Sequence, residues 1–144
     1  MIEGLFQHGS MPALERMVQF TGARHHVLVD NIANLSTPYH RPRDLSPQQF
    51  QETLGRAIDQ RRRSATPMRG ELDLRDTREM RFRKDGIDAS PRPLNEGIMF
   101  HDQNNRDLDR TMQRLAENTL AHRVSIDLLK NEFDMLRLAI RERL

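Results

Sequence analysis

Residues 108–140, LDRTMQRLAENTLAHRVSIDLLKNEFDMLRLAI, contain the pattern that decides the fold. Apolar residues, with two polar ones, recur there at alternating spacings of four and three residues. A mean period of about 3.5 residues keeps one narrow stripe of a helix facing a partner helix over many turns. The pattern therefore predicts a long helix that pairs along its length. Its facing stripe, the C-terminal seam, consists of Leu108, Met112, Leu115, Thr119, His122, Ile126, Leu129, Phe133, Leu136 and Ile140.

The same spacing occurs near the N-terminus and supplies a partner helix. The N-terminal seam consists of Met11, Leu14, Val18, Thr21, His25, Leu28, Ile32 and Leu35. If the two helices run antiparallel, the connection between them leaves and returns at neighbouring points. We therefore predict an all-α protein, built as an elongated antiparallel helical hairpin whose terminal helices resemble a coiled coil.

An antiparallel arrangement also predicts a register for the two seams. The apolar positions then pair as Leu35–Leu108, Ile32–Met112, Leu28–Leu115, Val18–Ile126, Leu14–Leu129 and Met11–Phe133. The polar positions fall into adjacent layers, in which Thr21 faces His122 and His25 faces Thr119. Since a polar residue in a seam can fix the register at some cost in stability, we expect these four residues to be register layers.

Composition limits the size of the core. The chain has 144 residues, of which 36% are hydrophobic, and its mean hydropathy of -0.77 is low for a compact globular domain. We therefore expect one domain that buries its apolar surface by helix pairing and by contact with other copies. The absence of cysteine excludes disulfides and thiolate metal sites. No apolar run approaches the roughly 20 residues of a membrane span, and the first residues lack the features of a cleaved signal peptide.

The chain divides into segments by its capping and breaking residues. Residues 1–9 have no clear cap, and we expect a mobile N-terminus there. Residues 10–36 and 106–142 are the paired terminal helices of one rod-shaped domain. Residues 37–105 form a middle segment, with a short accessory helix near residues 47–62.

Local signals support the starts of two helices. Ser10 is placed to cap the first helix, and Pro12 fits its first turn. In the middle segment, Ser46 is placed as a cap, Pro47 suits the first helical position and Gln49 completes a capping box. The sequence therefore predicts a defined start for the accessory helix.

The remainder of the middle segment is polar and interrupted by proline and glycine. Alternating apolar residues at 72–74 and 80–82 are compatible with short strands, and residues 84–86 are compatible with a turn. We expect this part to be loosely ordered, with at most minor β structure.

The exit from the first helix shows a family resemblance. Residues 31–39, NIANLSTPY, resemble the N-terminal signature of flagellar axial proteins, which has the form Asn-Ile-Ala-Asn, two residues, then Thr-Pro-Gly-Tyr. This chain lacks the glycine between proline and tyrosine. Residues 107–118 and 128–140 are similar to the C-terminal helix of proximal rod proteins of that family. The signature positions carried over are Asn31, Asn34, Thr37, Pro38 and Tyr39.

The resemblance implies a structural subunit of the proximal rod of the bacterial flagellar basal body. Such a subunit passes through type III export to the periplasmic space without a cleaved signal peptide. Its implied partners are other copies of itself, other flagellar rod proteins, and the membrane ring and export gate at the base. Its implied role is to help transmit torque for motility.

Two other classes of function remain open. A helical scaffold protein unconnected with flagella would show the same heptads. A nucleic-acid-associated protein would use the basic run at residues 61–63, but the net charge is only +2 and aromatic residues make up 5% of the chain. The six histidines lack metal-ligand spacing, and no catalytic constellation stands out. The sequence therefore predicts no enzyme activity, no metal, no cofactor, no small-molecule substrate and no nucleic-acid partner.

Overall fold

The computed structural model describes residues 9–65, 72–94 and 108–141. Within these ranges the chain forms three helices, α1 (Met11–Ala33), α2 (Pro47–Arg62) and α3 (Leu108–Arg141). It also forms four short strands, β1 (Arg43–Asp44), β2 (Met80–Arg83), β3 (Gly86–Ala89) and β4 (Arg92–Pro93). Strands β1 and β4 pair antiparallel, and so do β2 and β3. The prediction of a mainly helical protein with minor β structure is thus confirmed in outline.

Parts of three predicted segments lie outside the described residues. The expected mobile N-terminus is described only at Gly9, and the expected C-terminal helix only from Leu108 to Arg141. Of the middle segment, residues 66–71 and 95–105 are outside. No helix within the described ranges is both long enough and apolar enough to span a membrane.

The two predicted helix starts differ in how they are capped. Ser46 is extended, and its side chain accepts a hydrogen bond from the Gln49 N–H at 3.3 Å, which confirms the predicted cap. The Ser46 N–H donates to Glu79 at 3.0 Å, so Glu79 takes the place predicted for the Gln49 side chain. The backbone of Ser10 is already helical, which prevents its side chain from capping. The Ser10 hydroxyl instead bonds the carboxylate of Glu132 on α3.

Helix α1 packs on α3 more extensively than on any other element. Two contacts define the relative direction of the two helices. The Ser10 hydroxyl bonds Glu132, and the Thr21 hydroxyl lies 2.7 Å from Nδ1 of His122. Residue numbers rise along α1 while they fall along α3, so the two helices lie antiparallel at these contacts.

The main apolar cluster lies on another face of α1, against the middle segment. Phe20 of α1 stacks on Phe50 of α2, with ring centroids 4.2 Å apart and an interplanar angle of 3°. The buried members of the cluster are Phe20, Leu45, Phe50, Leu54, Ala57, Leu72 and Met80. The expectation of a loosely ordered middle segment is therefore wrong for its described part, since a few apolar residues distant in sequence converge on α1.

The predicted turn at residues 84–86 lies at the tip of the β2–β3 hairpin. Arg83 pairs with Gly86, and Phe82 pairs with Ile87 in the register of the two strands. The expected strand at residues 72–74 does not form, although Leu72 is buried in the apolar cluster. Burial rather than strand pairing accounts for that apolar residue.

Candidate functional site

The two seams are buried to different degrees along their lengths. In the N-terminal seam the structure buries Met11, Leu14, Thr21 and Leu28, and it half-buries Val18, His25, Ile32 and Leu35. In the C-terminal seam it half-buries Leu115, Thr119, His122, Ile126, Leu129, Phe133 and Leu136. Leu108, Met112 and Ile140 are exposed. Because Ser10, next to the start of α1, is level with Glu132, the 34-residue α3 extends beyond that end of the 23-residue α1, and Ile140 lies in the extension.

One predicted register layer is a polar contact between the helices. The Thr21 hydroxyl lies 2.7 Å from Nδ1 of His122, and Asn118 donates to the Thr21 carbonyl at 2.8 Å. The second predicted layer is built differently, since the Thr119 hydroxyl donates to the Leu115 carbonyl within its own helix at 2.8 Å. The structure thus brings Thr21 and His122 together and gives Thr119 a local partner.

The most buried residues of α3 were missed by the sequence analysis. Asn118 is 2% exposed and Ser125 is 0% exposed, and the Ser125 hydroxyl donates to the Ala121 carbonyl at 2.7 Å. They lie seven residues apart, each one position before a seam residue. The heptad spacing of these two residues could have predicted their burial, because small polar residues allow two helices to approach closely when their polar groups are hydrogen-bonded.

A buried ion pair ties α1 to the start of the middle segment. The Arg24 guanidinium binds the Asp44 carboxylate through two hydrogen bonds, at 2.8 Å and 2.7 Å. The two side chains are only 9% and 10% exposed. Asp44 also accepts from the Leu45 N–H at 2.8 Å. A pair with two parallel bonds fixes orientation as well as distance.

Asn31 makes a second attachment of α1 to the start of the middle segment, through hydrogen bonds rather than an ion pair. Its side-chain amide donates to the Arg43 carbonyl at 2.6 Å and accepts from the Arg43 N–H at 2.9 Å. Arg43 pairs with Pro93 in the β1–β4 ladder. Glu79, which is 4% exposed, adds an ion pair with Arg92 at 3.3 Å. Polar side chains therefore hold the β1–β4 ladder on α1.

The remaining signature positions form the turn after α1. The Asn34 side chain donates to the Asp30 carbonyl at 3.0 Å, and the Thr37 N–H donates to the Asn34 carbonyl at 3.0 Å. The His40 N–H then donates to the Thr37 carbonyl at 3.3 Å. Pro38 and Tyr39 are the central residues of this turn, and Tyr39 has a φ of 61°.

These features are those of a type II turn, which requires a positive φ at its third residue and favours glycine there. Tyr39 therefore occupies the turn position that glycine has in the family signature. His40 follows at the position that the signature gives to tyrosine. Tyr39 was carried over as the signature tyrosine, and the turn geometry places it one position earlier in the motif.

Replacement of Tyr39 by glycine is expected to stabilise the protein. A left-handed backbone costs a residue with a Cβ about 1–2 kcal/mol. The larger freedom of glycine in the unfolded chain removes about 0.5–1 kcal/mol of that gain. We expect Tyr39→Gly to raise the free energy of unfolding by up to about 1 kcal/mol in urea titrations. Tyr39→Ala, which keeps the Cβ, is the matched control, and an equal gain from it would contradict the strain at this turn.

A second apolar face of α3 points away from α1. The most exposed members are Leu120 at 65%, Met135 at 63% and Leu138 at 58%, with Val124 and Leu128 at 48% and 46%. These five residues recur at spacings of three, four or seven residues. This outer stripe consists of Leu120, Val124, Leu128, Met135 and Leu138. Its length along one helix face is typical of an interaction surface rather than of scattered exposed residues.

Other kinds of site find little support in the described ranges. No group of three His, Cys, Asp or Glu side chains is arranged to hold a metal ion in the part of the chain that the structure describes. The basic run at residues 61–63 does not form one continuous basic surface. Arg61 binds the Gly9 carbonyl, and the Arg62 guanidinium lies 4.0 Å from the Asp59 carboxylate. In comparisons with known proteins, no family model and no curated protein matches the chain.

Proposed function

We propose that this chain is a structural subunit of the proximal rod of the bacterial flagellar basal body, similar to FlgB. Its terminal helices pair as an elongated, coiled-coil-like hairpin. Copies then assemble with one another and with other rod proteins on the membrane ring and export gate. The subunit reaches the periplasmic space by type III export, and it helps transmit torque for motility. It acts as a mechanical element and needs no substrate, cofactor or nucleic acid.

The observation that carries this proposal is the outer stripe of α3. A helix that is apolar on two opposite sides needs two partners, and α1 covers only one side. Full burial of a leucine or valine side chain stabilises by about 1.5–3 kcal/mol. Burial of these five half-exposed side chains against neighbouring subunits would therefore stabilise the assembly by on the order of 5 kcal/mol.

The signature residues support the family assignment. The Arg43 backbone needs one donor and one acceptor from the same side chain, and the amide of Asn31 supplies both. The turn at Thr37 and Pro38 has the geometry for which the signature glycine is suited. Both features give a physical reason for residue types in the motif.

Leu128→Asp tests the assembly role. We expect the variant to fold, since Leu128 is 46% exposed, and to be exported. In a strain that lacks the gene, it should fail to restore swimming, because a charge on the outer stripe opposes burial between subunits. Lys130→Asp is the matched control, since this exposed position lies outside the outer stripe, and it should restore swimming.

Two results would decide against parts of the proposal. Normal swimming with Leu128→Asp would reject the outer stripe as the assembly surface. Normal swimming after deletion of the gene would reject the flagellar role. In that case the outer stripe favours the second candidate function, a helical scaffold protein unconnected with flagella, for which Leu128→Asp should abolish self-association only.

A further inference from the structure

A groove runs between α2 and α3, with α1 as its floor. Helices α2 and α3 each pack on α1 but hardly on each other. Phe20 of α1 stacks on Phe50 of α2, whereas the next residue, Thr21, contacts α3. The two helices therefore diverge from neighbouring points on α1. The space between them, the three-helix groove, has a volume of about 480 Å³, and its apolar lining residues are Met17, Phe20, Phe50, Leu54, Ile58 and Ala121.

The α2 wall of the three-helix groove carries no charge. Every α2 residue that lines the groove, from Pro47 to Ile58, is uncharged. The charged residues of α2, such as Glu52 and Arg56, lie outside the groove. Charged residues are depleted at the cores of protein interfaces, because their burial requires desolvation. This wall is therefore suited to an apolar partner that buries it.

Gly55 in this wall is not explained by any contact within the described residues. It lies in the middle of α2 and lines the groove. A Cβ at this position would meet no atom within 4 Å in the part of the chain that the structure describes. Glycine inside a helix destabilises the helix relative to alanine, but it permits the close approach of another backbone. A helix that docks in the groove would use that property.

The outer stripe of α3 matches the groove in chemistry and in length. Its five side chains are apolar, and each is about half exposed. The stripe is about 27 Å long from Leu120 to Leu138, and the α2 wall from Pro47 to Ile58 is about 17 Å long. Among the large apolar side chains of the described residues, α1 exposes only Val29 and α2 exposes none. Of the three described helices, α3 is therefore the one that offers an apolar stripe to a partner.

We propose that the three-helix groove of one copy receives the outer stripe of α3 from a second copy. The side chains of the stripe pack on Met17, Ile58 and Ala121, and the absence of a side chain at Gly55 lets the two helices approach closely. Because the groove and the stripe are different surfaces of one chain, the contact is head-to-tail and adds copies one after another. The proposal rests on the assembly role proposed for the outer stripe, and it adds the surface that receives the stripe.

Chemical cross-linking between two singly substituted proteins tests the proposal, since the chain contains no cysteine. Gln51→Cys marks the groove, and Val124→Cys marks the outer stripe. The two purified proteins, one of which carries an affinity tag, are mixed and treated with a short bifunctional maleimide reagent. Such a reagent does not require the exact register of the two helices. We expect mixed dimers as the main covalent product, with little of either homodimer.

The control replaces Gln51→Cys by Glu52→Cys, because Glu52 is exposed and does not line the groove. Mixed dimers should then be lost. Equal yields from the two positions, or no mixed dimers from either, would overturn the proposal. Homodimers of the Val124→Cys protein as the main product would also overturn it, because the stripe would then pair with itself. That last result would leave the proposed function intact, since the outer stripe would still be an assembly surface.

Gly55→Gln, introduced into the Gln51→Cys protein, tests the close approach of the two helices. The new side chain lies where the docked helix passes, so the yield of mixed dimers should fall about tenfold. The melting temperature should rise by a few degrees, because glutamine favours a helix more than glycine does, and this rise excludes unfolding as the cause. Arg56→Gln, at the next position and outside the groove, should leave the yield unchanged. An unchanged yield with Gly55→Gln would overturn the proposal.

The double variant Gln51→Cys with Val124→Cys tests the head-to-tail geometry. Each copy then carries one reactive groove and one reactive stripe, so the reagent should give a ladder of covalent oligomers. Products that stop at the dimer would overturn this geometry in favour of a closed two-fold pair.

Discussion

Leu28→Asp is expected to remove most of the stability of the protein. The Leu28 side chain is 0% exposed on α1, so the substitution buries a carboxylate without a partner. Such a charge costs several kcal/mol. The total stability of a domain of this size is typically about 5–15 kcal/mol. We expect loss of the cooperative thermal transition, or a transition at a much lower temperature, when helix content is followed by circular dichroism.

The matched control is the next residue in the chain. Val29 is 43% exposed, and Val29→Asp adds the same charge on the solvent side of α1. Its effect on the free energy of unfolding should stay within about 0.5 kcal/mol. Similar melting curves for the two variants would mean that α1 does not present Leu28 to the interior.

The second large effect is expected at the buried ion pair of Arg24 and Asp44. Removal of one partner leaves the other charge buried, which typically costs about 3–5 kcal/mol. We expect a loss of that size for Arg24→Met and for Asp44→Asn, each measured by urea unfolding. The asparagine retains an acceptor for the Leu45 N–H, so the variant isolates the loss of charge.

The double variant should be far more stable than the sum of the single losses predicts, because it contains no buried charge. We expect a coupling energy of about 2–3 kcal/mol from the double-mutant cycle. The exposed pair of Arg83 and Asp88, with N and O atoms 2.6 Å apart, is the control. Its side chains are 69% and 53% exposed, and the same cycle there should give less than about 1 kcal/mol. Additive losses for Arg24 and Asp44 would show that the pair is not an energetic unit.

The sequence predicted those features that depend on local signals. The accessory helix starts at Pro47 because Ser46 caps it, and both residues belong to a short motif. The β2–β3 turn was likewise visible as a turn motif between alternating residues. The contact of Thr21 with His122 followed from heptad spacing, which fixes which positions of two antiparallel helices are level.

The features that the sequence did not predict depend on contacts between distant residues. Arg24 and Asn31 are polar, so an analysis of apolar spacing assigned α1 only one packed face. Their partners at Asp44 and Arg43 become visible only when the chain has reversed after α1. The same reason explains why the packed core around Phe20 was missed, because Leu72 and Met80 are more than 50 residues away in the chain.

The position of α1 determines how a mechanical load passes through the molecule. One face of α1 meets α3 and another meets the middle segment, so a force applied along α3 reaches the middle segment mainly through α1. Apolar contacts permit sliding, whereas the directional bonds of Arg24 and Asn31 resist displacement along the helix axis. Under shear, these two side chains therefore hold the start of the middle segment in place on α1. The middle segment should separate from α1 abruptly, when their hydrogen bonds break, rather than by gradual sliding.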